Sequence, residues 1–496
     1  MKPSSIFLVL VICITLQSNL FAQQGTGIQV GISDTLHSKI LNEDRLIQIY
    51  LPGNYESSQQ HYPVMYLCDG QWNFLHTLGI VDFMAGTSCA PRMILVSIYH
   101  TNRDEDLVPK TTETDNYSGN ADGFMDFIAK ELIPYVEGKF RTQPFRILTG
   151  ISYGGLFTNY TLITKPDLFD AYISIDPSLW WDNNRIIRDS EKFFRKQESF
   201  DKILYFTQSE IREMGADKFA QMLHRAAPRG LKWKFNHMHQ ETHASITHRS
   251  IYDGLEFIFS DWSPDPVAVK PNGGIFRKND SLVVELSHRT AGSIHYTSNG
   301  NEPTLQSPIY EKLIIITKPC VLKTKPFFGY EISGNSDSVQ FEIAVLQLAD
   351  KKVKNLKRGL TYNLYEGDWD KLPDFDKLKT KSTGVADTVN AAYSSLQDHF
   401  GLIFNGYINI AKEGIYTFYL RSDDGSRLRI GDKELIDLDG LHAVTERSKQ
   451  ILLEKGKHKI NIEFFEKGGG QFLELNYDGP DLKRQVVPAK VLYHSP

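Results

Sequence analysis

Over the first half of the chain, short apolar runs alternate with longer segments whose apolar residues recur at helical spacing. Between residues 121 and 140, for example, Phe124, Phe127, Ile128 and Leu132 fall on one helical face. The runs typical of buried or half-buried strands are 45–52, 62–70, 93–98, 146–148, 171–176, 203–206 and 232–239. Strands alternating with helices in this way predict an α/β domain, which we place at residues 23–262.

The pattern changes after Trp262. The segment Ser263-Pro264-Asp265-Pro266 ends the last helix, and no helical periodicity of any length follows before Val345. Short strand-like runs separated by turns predict a small β-sandwich at 263–346. A further strand-and-turn series predicts an all-β barrel at 350–496. The chain has 496 residues, a length that also favours about three domains.

The N-terminus has the features of a secretory signal peptide. Lys2 precedes an apolar run from Ile6 to Leu16, and Ala22 is a small residue at the expected cleavage position. We predict that residues 1–22 are removed and that the mature protein is periplasmic or extracellular. The apolar run is too short to span a bilayer comfortably, so membrane insertion is not expected.

Composition and charge exclude one class of partner and require no cofactor. The formal net charge is −5, with no basic surface indicated, so we expect no nucleic-acid partner. The sequence does not determine the oligomeric state.

Four cysteines are present, and Cys13 lies within the predicted signal peptide. The remaining three, Cys68, Cys89 and Cys320, lack metal-ligand spacing and exclude a disulfide framework. One bridge could join Cys68 to Cys89. We favour a buried free thiol at Cys68, because that residue lies in a strand-like segment.

The main chemical motif is Gly-Ile-Ser-Tyr-Gly at residues 150–154. A strand-like run precedes it and a helix-compatible run follows at 156–160, the context of a nucleophile elbow. An ordinary Gly-rich surface turn would not explain why both flanks are apolar. We therefore predict that Ser152 is a nucleophile, and that Gly150 and Gly154 make room for the tight turn.

A serine nucleophile needs a base, and in the α/β-hydrolase order the acid and then the histidine follow the serine. His243 follows the strand-like run 232–239 and is the predicted base. His248 is the alternative candidate. His237 and His239 lie within that run and are expected to be packed or rim residues.

The predicted acid is Glu210, the first carboxylate after the strand ending near Phe206. Glu213 and Asp217 remain alternatives, as does a Ser-His pair without an acid.

Backbone N–H groups should form the oxyanion hole. One would come from Tyr153, directly after the nucleophile. The other would come from the turn after the strand 62–70, at Gly70, Gln71 or Trp72.

Aromatic and charged residues near strand ends are candidate substrate contacts. Trp72, Trp180, Trp181 and Arg103 lie where loops form the rim of an α/β active site. We expect one of Trp180 and Trp181 to be a core residue and the other a flat wall for an aromatic acyl group or a sugar ring. Arg103 would form a structural ion pair or contact the substrate.

Four separated segments, 62–70, 150–155, 175–182 and 241–243, together resemble the esterase family that includes esterase D, feruloyl and acetyl xylan esterases and siderophore esterases. The resemblance covers essentially the whole first domain and implies an α/β-hydrolase fold, a three-layer α/β/α sandwich. The Pro-Ser-Leu-Trp-Trp segment at 177–181 most resembles the siderophore-esterase branch.

The two later domains also resemble known modules. The segment 293–304 resembles the C-terminal module of chitobiases, which most often acts as a spacer, and 359–496 resembles the PA14 domain. In some PA14 relatives an Asp-Asp pair holds calcium, and Asp423 and Asp424 match that pair. We favour the alternative, a charged β-turn closed by Gly425, so no metal is predicted.

The resemblance implies a secreted serine carboxylic-ester hydrolase that removes feruloyl or acetyl groups from polysaccharide, with accessory glycan-associated modules. One alternative is a siderophore or other small-ester hydrolase. Another is a glycan-binding protein with a degenerate hydrolase domain. The expected substrate is a small-molecule or polysaccharide ester.

Overall fold

The computed structural model describes residues 29–111, 118–290, 292–329 and 332–496. The predicted signal peptide and Cys13 lie outside these residues. Among the residues described, no helix is both long and apolar enough to cross a membrane.

The first domain is built on one eight-stranded sheet. Its strands are β1 (Ile32–Ser38), β2 (Glu43–Tyr50), β3 (Tyr62–Leu67), β4 (Ile94–Ile98), β5 (Thr142–Ile151), β6 (Ala171–Ile175), β7 (Ile203–Gln208) and β8 (Lys232–His237). Their order is β1-β2-β4-β3-β5-β6-β7-β8. Strands β3 to β8 are mutually parallel, whereas β2 pairs antiparallel with both β1 and β4.

Helices cover both faces of this sheet. They are α1 (Gly70–Gly86), α2 (Arg103–Leu107), α3 (Ala121–Phe127), α4 (Ile133–Lys139), α5 (Tyr153–Thr164), α6 (Trp181–Phe194), α7 (Ala216–Ala226) and α8 (Ile246–Ile258). A π-helical segment, Ile128–Leu132, joins α3 to α4.

Alternating strand residues enter two separate cores. Met65 and Leu67 of β3 pack in the core that includes α1 and α8, whereas Val64 and Tyr66 pack in the core beneath α3 to α7. This division follows from the two-residue period of a strand. The result is the predicted three-layer α/β/α architecture.

Parallel strands bring their carboxyl ends to one edge of the sheet. Ser152 follows β5, Asp69 and Gly70 follow β3, and His243 lies on the loop after β8. The candidate residues therefore meet at one edge although they are far apart in sequence.

The second domain is a small β-sandwich. Its strands are β9 (Ala268–Lys270), β10 (Gly274–Phe276), β11 (Leu282–Ser287), β12 (Ser293–Thr297), β13 (Ile314–Ile316), β14 (Cys320–Phe328), β15 (Ile332–Ser333) and β16 (Asp337–Ile343). The sheets β10-β16-β14-β12 and β13-β11-β9 enclose one core. Ile332 packs outside that core, against the first domain.

The third domain is also all-β. Its strands are β17 (Leu346–Gln347), β18 (Lys357–Arg358), β19 (Leu360–Glu366), β20 (Ser382–Ala386), β21 (Phe400–Ile410), β22 (Gly414–Asp423), β23 (Ser426–Ile430), β24 (Lys433–Leu438), β25 (Thr445–Leu453), β26 (Gly456–Glu466), β27 (Phe472–Gly479), β28 (Leu482–Val486) and β29 (Leu492–His494). A five-stranded and an eight-stranded sheet surround one apolar core. Strand β17, at the predicted domain boundary, pairs with β25 and so joins the third domain.

Candidate active site

Ser152 occupies a strained turn between β5 and α5. Its backbone has φ 60° and ψ −115°, a conformation that L-residues rarely adopt. A Cβ at Gly150 would lie 2.6 Å from backbone atoms of Gly154, so the turn closes only with glycine at position 150. These features are those of a nucleophile elbow.

His243 is oriented by a buried carboxylate. Its Nδ1 lies 2.7 Å from Oδ2 of Asp176, the residue directly after β6. Asp176 is fully buried and also accepts hydrogen bonds from the backbone N–H and the hydroxyl of Ser209, at 3.0 and 2.7 Å. With Nδ1 engaged, Nε2 is the nitrogen left to act as a base.

The prediction of Glu210 as the acid is therefore corrected to Asp176. In the described part of the chain, His243 has an ion pair with Asp176 and none with Glu210, Glu213 or Asp217. Glu210 is exposed, and its backbone N–H donates to the carbonyl of Glu241.

The sequence reasoning failed because it placed the acid after β7, while this chain places it after β6. One signal was available: Asp176 directly follows the strand-like run that became β6, within the segment 175–182 that carried the family resemblance.

A second serine lies beside the nucleophile, and the sequence reasoning missed it. Oγ of Ser178 is 3.2 Å from Oγ of Ser152, and the Ser178 backbone N–H donates to the Ser152 carbonyl at 3.1 Å. Among the described hydrogen bonds, the Ser152 hydroxyl pairs with Ser178 and not with His243. Catalytic hydrogen bonds often tighten only when substrate is bound.

The predicted oxyanion donors lie at the starts of two helices. Gly70 and Gln71 open α1 and Tyr153 opens α5, positions whose N–H groups have no intrahelical acceptor. The positive ends of both helix dipoles add to the attraction for an anion. A Cβ at Gly70 would lie 2.2 Å from Oγ of Ser97 and 3.0 Å from the Ile98 carbonyl oxygen, so a larger residue at the start of α1 would displace its neighbours.

Arg103 connects the two loops that carry these donors. Its Nε and Nη2 donate to both carboxylate oxygens of buried Asp69, at 2.5 and 2.9 Å, and Nη2 also donates to the Ile151 carbonyl at 3.1 Å. The structural ion pair is thus the observed role. Asp69 comes directly before Gly70 and Ile151 directly before Ser152, so the contacts hold both turns together.

Aromatic rings line the rim above this edge. Trp72 is 66% exposed and Trp180 is 43% exposed, whereas Trp181 is buried in the core, so one of the two adjacent tryptophans is a core residue as expected. The rings of Tyr153 and Trp180 are 6.3 Å apart. The Arg103 guanidinium lies about 6 Å from the rings of Trp72 and Tyr153.

A separate acidic cluster lies in the third domain. Carboxylate oxygens of Asp423, Asp424 and Glu466 lie within 4.8 Å of one another. Glu466 is 1% exposed, and neither of its carboxylate oxygens has a hydrogen-bond partner among the residues that the structure describes. Burial and the neighbouring carboxylates of Asp424, Asp423 and Asp398 raise the pKa of Glu466 to about 8. Three crowded oxygen donors, one of them buried without a partner, fit a hard divalent cation.

Three family models match separate parts of the chain. The family model described as "Putative esterase" matches residues 38–209, the chitobiase/β-hexosaminidase C-terminal domain matches 271–336, and the PA14 domain matches 356–490.

Among curated proteins, the siderophore triacetylfusarinine C esterase of Aspergillus fumigatus is 32% identical over 166 residues, which are 30% of this chain and 57% of that protein. The siderophore enterobactin esterase of Emericella nidulans is 45% identical over 78 residues, 15% of this chain and 26% of that protein. The chain thus spans less than two thirds of the length of either relative.

Among solved structures, an IroE-like serine hydrolase from Shewanella oneidensis is 33% identical. The match covers 47% of this chain and 82% of that chain, with a TM-score of 0.45. Fold and site define a serine-hydrolase domain of the esterase class. The first domain is similar to the esterase family whose model matches residues 38–209.

Proposed function

We propose that the mature protein hydrolyses carboxylic esters through an acyl-enzyme on Ser152. The observation that carries this proposal is the elbow serine at the sheet edge that also holds the buried His243–Asp176 pair. His243 accepts the Ser152 proton as the hydroxyl attacks the ester carbonyl, and later protonates the leaving alcohol. The N–H groups of Tyr153 and of Gly70 or Gln71 stabilise the oxyanion.

The acyl group that best suits the rim is aromatic. Exposed Trp72 and Trp180 offer flat faces for a ring, and Tyr153, the residue after the nucleophile, has its ring 6.3 Å from that of Trp180. Feruloyl esters of polysaccharide meet this requirement. The two β-modules that follow the esterase domain support a polysaccharide carrier, and a signal peptide at 1–22 would bring the protein to it.

The first test compares wild type with Ser152→Ala on p-nitrophenyl acetate, methyl ferulate and acetylated xylan. We expect the variant to lose about a thousandfold or more in kcat on each ester that wild type cleaves. The preferred ester would identify the acyl class. Equal turnover by the two proteins would exclude Ser152 as the nucleophile.

A second candidate function is hydrolysis of a siderophore ester. The two curated relatives described above are named siderophore esterases, and the segment 177–181 resembles that branch. A tris-catecholate lactone assayed beside a feruloylated xylan fragment separates the candidates by kcat/KM. Preference for the lactone would replace the polysaccharide assignment.

A third candidate is glycan binding without catalysis. A fluorophosphonate probe tests it directly, because the probe modifies activated serines. Labelling of wild type but not of Ser152→Ala supports an enzyme, and absence of an adduct on both supports binding alone.

For the third domain we propose a Ca²⁺ site at Asp423, Asp424 and Glu466. An ionised carboxylate as buried as Glu466, beside two others, is costly without a counter-charge. A bound cation would supply that charge and would stabilise the folded domain by mass action.

Thermal unfolding of the chelator-treated full chain tests the calcium site. We expect added Ca²⁺ to raise the transition of the third domain in wild type and in Asp432→Asn, an exposed control in the same domain. Asp423→Asn and Glu466→Gln should not respond. If Ca²⁺ did not change the unfolding temperature of the wild-type third domain, Asp423 and Asp424 would form a charged β-turn without a metal.

We also propose export with removal of residues 1–22. N-terminal sequencing of the protein recovered outside the cytoplasm of the expressing cell would test this. A mature chain that still begins at Met1 would contradict it.

A further inference from the structure

A cleft of about 910 Å³ lies between the first and second domains. The first domain contributes residues 59–63 and 143–144 to its walls, and the second contributes 302–306 and 332–336. The walls are fixed to each other, because Ile332 packs into the core of the first domain and Nε1 of Trp262 donates to the Ser333 carbonyl at 3.2 Å. The volume lies within the range of small-ligand sites in proteins.

This cleft is separate from the active site. Tyr62 begins β3 and Gln143 is the second residue of β5, so the cleft lies at the amino-terminal edge of the parallel strands. Ser152 follows the opposite end of β5. Ser152 lies nine positions after Gln143 along the strand, a span of roughly 30 Å.

Side-chain amides are the most frequent polar groups in the cleft, contributed by Asn54, Gln59, Gln60, Gln143, Gln306 and Asn335. Apart from that of Asn54, these amides make no side-chain hydrogen bond within the described part of the chain. Oε1 of Gln143 is buried and has no hydrogen-bond partner in the described ranges. An amide both donates and accepts, which suits hydroxyl groups, and a buried acceptor without a partner favours a ligand that donates to it.

The cleft also carries uncompensated positive charge. Lys325 is 3.0 Å from Glu302, and Glu302 also pairs with Lys323. Arg92 lines the same cleft and, among the described residues, has neither an ion pair nor a hydrogen bond. A guanidinium is suited to bidentate contact with a carboxylate.

We propose that this cleft binds an oligosaccharide bearing carboxylate groups, with amides contacting hydroxyls and Arg92 contacting a carboxylate. The site would hold an acidic polysaccharide away from the catalytic edge while the esterase acts elsewhere on it. The binding itself does not depend on the proposed reaction.

Calorimetric titration of the full-length Ser152→Ala protein tests the proposal, since hydrolysis cannot then affect the result. We expect tetragalacturonate to bind and xylotetraose to bind at least about tenfold more weakly. Arg92→Met should weaken tetragalacturonate binding about tenfold or more. Gln306→Glu, on the exposed part of the opposite wall, should weaken it by adding a repulsive charge.

Arg229→Met is the matched control, because Arg229 is an exposed arginine of the first domain outside the cleft. It should bind like the parent, and all variants made on the wild-type background should cleave p-nitrophenyl acetate at an unchanged rate. Absence of tetragalacturonate binding, or equal binding by the Arg92 and Arg229 variants, would overturn the proposal. Equal binding of a polyglutamate peptide would also overturn it, because charge alone would then explain the affinity.

Discussion

The carboxylate of Asp176, which contacts His243, is fully buried and accepts hydrogen bonds from three donors. The backbone N–H and the hydroxyl of Ser209 hold it, and Nδ1 of His243 is the third donor. Such a carboxylate fixes the tautomer of the imidazole and stabilises its charged form during catalysis.

We therefore predict that Asp176→Asn lowers kcat by about a thousandfold to ten-thousandfold, since an amide favours the wrong histidine tautomer. Glu210→Gln is the control and should stay within about twofold of wild type, because Glu210 is exposed and lies outside the ion pair. Steady-state kinetics on p-nitrophenyl acetate would measure both. A larger loss in the Glu210 variant would restore the original assignment.

The three described cysteines differ sharply in accessibility. Cys68 is fully buried and Cys89 is exposed, and both are free thiols. Burial, followed by the nearby Asp69 charge, raises the pKa of the Cys68 thiol well above its usual value.

In the native protein, iodoacetamide should label Cys89 rapidly, whereas Cys68 should react only after unfolding in denaturant. Peptide mass spectrometry of the labelled protein would show this difference. A peptide pair linked through Cys68 and Cys89 would instead support the disulfide alternative.

At the scale of elements, the strand-turn-helix unit β5–Ser152–α5 depends on small residues. A Cβ at position 150 would clash with the Gly154 backbone, which side-chain rotation cannot relieve. Gly138, in the last turn of α4, has open space around it.

Gly150→Ala should accordingly destabilise the first domain by about 2 kcal/mol and reduce esterase activity, because the elbow must shift. Gly138→Ala should be neutral or stabilise by about 0.5–1 kcal/mol, as alanine favours helix. Urea unfolding of both variants provides the comparison. Equal stability of the two would mean that the elbow relaxes without cost.

Most of the strands of the first domain could be predicted from the sequence. The runs 62–70, 171–176 and 203–206 became β3, β6 and β7, because mainly apolar segments of this length suit strands covered on both faces. Strand β1 was not predicted: its exposed and half-exposed residues carry no apolar run.

At the scale of the whole molecule, the domains are coupled through a few buried contacts. Ile332 of the second domain is 5% exposed and packs with residues of the first-domain core. Ile315, in β13 of the same domain, is 65% exposed.

Ile332→Ala should lower the stability of the first domain by about 2–4 kcal/mol, although the residue lies outside it. Ile315→Ala should have little effect. Differential scanning calorimetry of the full chain would resolve the shift. An unchanged first-domain transition would show that the second domain docks without contributing to that core.

The nucleophile motif and the place of His243 after the last strand of the sheet could be predicted from the amino-acid sequence, because each depends on local pattern and chain order. The folded chain was needed to show which carboxylate contacts His243, that Ser178 lies beside Ser152, and that Glu466 joins Asp423 and Asp424. It also formed the cleft between the first two domains. These last features join residues that are tens of positions apart or more in the chain. The order of the strands and the burial of side chains bring such residues into contact, and no single segment of the sequence encodes either property.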